Sequence, residues 1–264
     1  EPAGYGEEAL DGITLRLLEE AEDGAWYASS GDGENPDIIV VMSESFSDSR
    51  ELGEFETDEP FFTFFDELES ESIHGHVYSS VIGGNTANSE YELLTGDTCA
   101  FLPTGAVAYQ TYINNPVGTL VSTLKDQGYS ATMFHPHWST GWNRIQVYGL
   151  FGFDTYWRES FSSVPTLRTY ATDKFDYETL IELYEDERAK QDEGVFLFNI
   201  TMQNHGGYTN RTFNETVHIS GHEGEFPITE QYLSLIRLTD EDTRELIDYF
   251  RGVDRKVIIL FFGD

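Results

Sequence analysis

A single cysteine, Cys99, in 264 residues excludes an internal disulfide and a cysteine-rich zinc site. Bases are scarce as well: 15 Lys and Arg stand against 48 Asp and Glu, a formal net charge of −33. That balance excludes a general binder of nucleic-acid backbones. An anionic substrate would need local help, and a divalent cation reverses the local sign of a site on an acidic protein. No apolar run approaches the roughly 20 residues of a membrane span, and no charged-then-apolar leader opens the chain, so the chain as given reads as soluble. The Gly-x-Ser-x-Gly turn of serine hydrolases is missing, as are internal repeats and low-complexity linkers.

What is present is an alternation of strands and helices in a chain long enough for one large domain. Residues 1–35 read as a peripheral acidic lead-in with one helical piece over 10–21, and the main domain runs over 36–264. Continuous apolar runs at 37–42, 130–134, 195–200 and 256–262 predict strands buried on both faces of a parallel sheet, and 73–81 predicts another, carrying His74 and His76 as ordinary strand residues. Helices are expected over 61–68, after Gly83-Gly84, over 117–127 and 176–190, and once or twice within 229–251. The fold class that follows is α/β: a mostly parallel sheet flanked by helices on both faces. Acidic runs at 51–59, 66–71 and 184–193 are solvated faces.

The chemistry gathers at the strand ends, where open α/β sheets place their ligands. Glu44, Thr86, His135 with His137, Asn204 with His205, and Asp264 each follow an apolar strand. Gly83 and Gly84 let the chain turn before Thr86, placing one hydroxyl at a helix N-terminus, where unpaired N–H groups stabilise an anion or an alkoxide. Oxygen and nitrogen donors around that hydroxyl suit a divalent ion that would ease its deprotonation. His135-Pro136-His137 also raises the thought of an amidohydrolase barrel, which needs more strand–helix units and later histidines than this chain supplies.

Ser43-Glu44-Ser45-Phe46, Gly83 to Gly96, Gly141-Trp142-Asn143-Arg144, Met202-Gln203-Asn204-His205-Gly206 and Phe262-Gly263-Asp264 stand in the order seen in the lipoteichoic acid synthase family. The chain resembles these phosphoglycerol transferases of the alkaline phosphatase and sulfatase superfamily from about residue 36 onward. The resemblance implies Thr86 as nucleophile, one Mn2+ or Mg2+ ion held by Glu44, Thr86 and Asp264, and a glycerol phosphate contacted by Trp142, Arg144 and His205, with His135 in the same pocket. It implies a phosphatidylglycerol-like lipid as donor, a glycolipid or cell-envelope glycopolymer as acceptor, and a place on the extracytoplasmic face of a bacterial membrane as part of a membrane-anchored protein. In the family a histidine follows the last acid, whereas here the sequence stops at Asp264. The expectation is a domain incomplete at its C-terminus, with a metal site short of one ligand. Related chemistries of the superfamily, sulfatase, phosphodiesterase or phosphoethanolamine transferase, are alternatives, as is a non-catalytic fragment that binds headgroups or glycopolymers.

Overall fold

Strand β1 (Asp37–Ser43) is the spine of the sheet, because its Ile-Ile-Val-Val-Met run is apolar on both sides and so can be covered on both. The computed structural model describes residues 35–137, 141–157, 164–210 and 212–264. Over them β2 (Ser130–Phe134), β3 (Thr155–Trp157), β6 (Val195–Ile200) and β7 (Val257–Gly263) join β1 in the order β3-β2-β6-β1-β7, every pair parallel. A two-residue pair, β4 (Thr166–Leu167) and β5 (Tyr170–Ala171), forms a separate antiparallel hairpin.

The helices are α1 (Phe64–Leu68), α2 (Thr86–Thr95), α3 (Ala108–Thr111), α4 (Leu120–Lys125), α5 (Arg144–Phe151), α6 (Asp173–Arg188) and α7 (Pro227–Arg251). Alternation along β1 divides them. Val40 and Met42 join a core with Ala87, Leu94, Val121 and Val147 from α2, α4 and α5. Ile39 and Val41 pack with Tyr177, Leu180, Leu246 and Phe250 from α6 and α7. Each such fully buried side chain contributes about 1.5–3 kcal/mol, so the two faces fix the register of β1 and with it the position of Glu44. At the opposite end of the sheet Asp37 is buried, accepting from Val195 N at 2.9 Å and Tyr184 Oη at 2.8 Å, with the guanidinium of Arg255 3.1 Å away.

Four of the expected strands are present, but β7 is not buried on both faces as expected: at the sheet edge it leaves Ile258 and Leu260 exposed. The strand expected over 73–81 does not form: Ile73, Val77 and Tyr78 are exposed and no ladder includes them. Both sides of β1, β2 and β6 are already taken, so this apolar stretch has no free strand beside it in the centre of the sheet. His74 and His76 accordingly lie in exposed coil rather than in a strand. The helix expected over 117–127 shortens to α4, whose start is set by a capping box between Thr119 and Ser122. That over 61–68 shortens to α1, and that over 176–190 moves to α6, which starts where Thr172 caps it. Residues 229–251 belong to one helix, α7, opened by Pro227. The lead-in helix over 10–21 lies outside the described residues. Among the described residues no helix is long and apolar enough to cross a membrane.

Candidate active site

The carboxyl ends of the strands converge as the parallel order requires. Glu44 leaves β1, His135 leaves β2, the 201–205 loop leaves β6, and Asp264 leaves β7. Ser45, in the left-handed region at φ 52°, turns the chain away and donates its backbone N–H to Asp264 Oδ1 at 2.6 Å. The Ser45 hydroxyl donates to Glu44 Oε1 at 2.8 Å, and the Glu44 N–H is taken by Thr201 Oγ1 at 3.2 Å. Gly263 makes the approach of β7 possible, because a Cβ there would collide with the Phe46 carbonyl oxygen. Gly263→Ala is therefore expected to push Asp264 away from Ser45 and to lower the thermal midpoint by several degrees, equivalent to the ~1–3 kcal/mol of an overpacked site. An unchanged midpoint by calorimetry would mean that the strand end gives way freely.

Thr86 is the first residue of α2, as expected, and the turn before it is tighter than the two glycines alone suggested. Gly83, Gly84 and Asn85 have φ of 72°, 83° and 75° in succession. The Asn85 side chain makes no capping bond, so the helix start is set by the left-handed run. Asn88 pins it instead, donating to Ala106 O and accepting from Ala108 N, both at 2.9 Å. Thr86 is half-buried, and its side chain lies near enough to Glu44 to favour the ionised carboxylate.

Burial, and then the neighbouring charge of Asp264, push the Glu44 carboxyl up to about 7, against the hydrogen bonds of Ser45 and Thr86 and the charge of Arg144. Two carboxylates this close, with a hydroxyl between elements, form an all-oxygen donor set, which suits a hard divalent cation such as Mg2+ or Mn2+. Their mutual repulsion is what such an ion would relieve. Among the described residues no group of three or more His, Cys, Asp or Glu gathers, so the fit rests on Glu44 and Asp264 with the Thr86 hydroxyl.

Arg144, the first residue of α5, reaches the same place but is not an open fork. Its Nε donates to Glu90 Oε1 at 3.0 Å, its Nη2 binds the same oxygen, and Tyr148 Oη donates to Glu90 Oε2 at 2.7 Å. The Arg144 and Glu90 side chains are 4% and 0% exposed. The Nε–Nη2 edge of Arg144 is thus taken by Glu90, one helical turn after Thr86, and Glu90 is a residue the sequence reading missed. Arg144 still projects its charge into the site: it counters burial at Glu44 and, after burial, lowers the pKa of both His135 and His137.

His135 is buried and held well below its ordinary pKa, first by burial and then by Arg144. Its Nδ1 lies 3.0 Å from the Ile200 carbonyl and so carries the proton, while Nε2 has no partner among the described residues. It is a neutral imidazole with a free lone pair. Trp142 sits in a left-handed turn at φ 60° and packs half-buried against the core. His205 is exposed at the rim, its ring 4.8 Å from that of Tyr170. Tyr208, also missed, donates its hydroxyl to Asn204 O at 2.8 Å and lies near enough to Ser45 and Glu44 to feel them.

The family model described as Sulfatase matches residues 36–264. The chain belongs to the sulfatase family. A Rhizobium meliloti (strain 1021) protein named for cyclic beta-1,2-glucan modification is 34% identical over 267 residues, covering 100% of this sulfatase-family chain and 39% of its own length. The lipoteichoic acid synthase of Staphylococcus saprophyticus is 27% identical over 185 residues, covering 69% of the chain and 28% of its own. The chain thus spans less than half the length of these curated relatives. Among solved structures, the Streptococcus pyogenes phosphoglycerol transferase GacH, in complex with sn-glycerol-1-phosphate, superposes with a TM-score of 0.81 at 21% identity, over 100% of this chain and 70% of that one. The sulfatase-family fold, and the resemblance to lipoteichoic acid synthases drawn from the ordered motifs, both hold.

Proposed function

We propose that this sulfatase-family domain moves a glycerophosphoryl group from a phosphatidylglycerol-like lipid to a glycan or glycolipid of the cell envelope through an intermediate on Thr86. The observation that carries the reading is the Thr86 hydroxyl at the start of α2, beside a buried Glu44 whose neighbour at the adjacent strand end, Asp264, accepts from Ser45 N–H at 2.6 Å. The relative named for cyclic beta-1,2-glucan modification supports a glycan acceptor, and the phosphoglycerol transferase GacH supports the transferred group.

Thr86 Oγ1 bonds to the phosphorus while the bond to the diacylglycerol oxygen breaks, and diacylglycerol leaves with a proton. A glycan hydroxyl then attacks the same phosphorus, its proton departs, and the threonine oxygen is released. Glu44, beside Thr86, would accept the hydrogen of its hydroxyl and so aim its lone pairs at the donor. A Mn2+ or Mg2+ ion held by Glu44, Asp264 and Thr86 would, when bound, lower the pKa of the threonine hydroxyl and stabilise charge on the phosphoryl oxygens. Arg144 adds a fixed positive charge that Glu90 orients. His135 offers its Nε2 lone pair to a glycerol hydroxyl, with Trp142 as a wall and His205 as a donor at the rim. The domain would work on the extracytoplasmic face of a bacterial membrane, within a longer, membrane-anchored protein in which residues 1–35 lead into the catalytic unit.

The test is intact mass spectrometry of the full-length protein after incubation with phosphatidylglycerol and Mn2+. A covalent glycerophosphoryl adduct, lost in Thr86→Ala, is the expected result. An unmodified wild-type protein that still binds the lipid would overturn the transferase reading in favour of a binding module.

A further inference from the structure

The hairpin of β4 and β5 turns through only two residues, Arg168 and Thr169, and Arg168 holds φ at 62°. The first central position of such a turn favours glycine when φ is positive. A large side chain persists in this conformation only where its surroundings enforce it, and such residues cluster at functional sites. The surroundings of Arg168 are specific. Its Nη2 donates to the carbonyls of Gln203 at 2.7 Å and His205 at 2.8 Å. The carbonyl between them, that of Asn204, accepts from Tyr208 Oη at 2.8 Å. Three successive carbonyls of the loop after β6 are therefore held by side-chain donors.

The guanidinium carbon lies 5.5 Å from the Tyr170 ring centroid and 5.4 Å from that of Tyr208, an arrangement in which each ring face attracts the cation. The Tyr170 ring lies 4.8 Å from the His205 imidazole, tilted by 36°, and Tyr208 lies on the Ser45 and Glu44 side. From beneath, Asn204 Nδ2 donates to Thr239 Oγ1 at 2.9 Å, and Gln203 Oε1 accepts from Asp173 N at 3.2 Å. Those bonds fix residues 203 and 204. His205 donates its backbone N–H to Met202 O at 3.0 Å within the loop, while its carbonyl and its ring face the hairpin.

We infer that Arg168 is a positioning residue that sets His205 at the rim of the site by clasping the loop carbonyls while cushioned between Tyr170 and Tyr208. This rests on the reading of His205 as a donor to the transferred group, and the test separates the two. Arg168→Gly removes the clasp and suits the backbone, so the fold should survive, and thermal unfolding checks that it does. Amide hydrogen exchange at residues 203–206 should then rise by about tenfold or more, with the sheet unchanged. The rate of adduct formation on Thr86 should fall by ~10–100-fold, as expected when a contacting group is misplaced by about an ångström. Arg168→Lys, which keeps the cation between the rings, should recover part of that loss.

The deciding readout is the pair with His205→Ala. If Arg168 acts through His205, the double variant is no slower than His205→Ala alone; losses that multiply would overturn the inference. Unchanged exchange at 203–206 in Arg168→Gly would overturn it too, whether or not the protein turns lipid over. A wild-type protein that forms no adduct overturns the transferase reading, and the exchange result then decides the clasp on its own.

Discussion

Glu90→Ala is expected to destabilise the domain by about 3–5 kcal/mol, measured as a shift in urea midpoint at constant slope. The reason lies in what remains. Arg144 stays buried with its charge and loses both bonds to Glu90, and the buried Tyr148 hydroxyl loses its acceptor. The loss is mostly that of an uncompensated buried charge, so removing the charge as well should restore stability. Glu90→Leu combined with Arg144→Met, which replaces the pair by apolar volume, should return to near the wild-type midpoint. It should not return activity, because the site has then lost its fixed cation; adduct formation is expected to stay down by about 100-fold or more. A double variant that recovered both would show the pair to be scaffolding without a part in the chemistry.

Without a divalent ion, the domain should lose stability as pH rises from about 4.5 to 7. Glu44 has its folded pKa raised to about 7 from an ordinary 4.5, and buried Asp173 is raised likewise to about 7 from 3.8, through burial first. Between the unfolded and folded values the folded protein binds more protons than the unfolded chain, so the slope of stability against pH is negative. The loss is complete above the folded value, and Glu44 alone contributes at most about 3 kcal/mol of it. Mn2+ or Mg2+ binds the ionised carboxylate, so its stabilising effect should grow over the same window and be larger at pH 8 than at pH 5.5. Thermal midpoints with and without the ion, in wild type and Glu44→Gln, decide the matter. Equal stabilisation at both pH values, or in both proteins, would place the ion elsewhere. The Asp173 component should remain in either case, because that carboxyl sits beneath the 203–204 loop against Thr239 and Gln203.

Strands β1, β2 and β6 could be read from the chain because a strand buried on both faces is largely apolar, and a run such as Ile38 to Met42 states this locally; β7 shows the same pattern although, at the sheet edge, it leaves Ile258 and Leu260 exposed. Thr86 at a helix start could be read because three successive left-handed residues need glycine or asparagine. Residues 73–81 misled for the converse reason: alternation shows that a segment suits a strand and says nothing about whether a neighbour is free to pair with it. The partnership of Arg144 with Glu90 spans 54 residues and joins the middle of one helix to the start of another, so nothing near either residue announces it. Arg168 escaped notice because strands of two residues have no periodicity, and an arginine in a left-handed turn is disfavoured by every local preference.

The position of β1 between β6 and β7 also governs when the site can exist. Ser45 and the side chain that receives its N–H are 219 residues apart, and β1 pairs with nothing nearer in sequence than Phe196. Contacts so distant in sequence form late and slowly, after the loops between them have closed. During synthesis the helices that hold Thr86 and Arg144 emerge long before β7. A nascent chain therefore carries Thr86, the proposed nucleophile, before Asp264, which reaches Ser45 only once β7 has paired with β1.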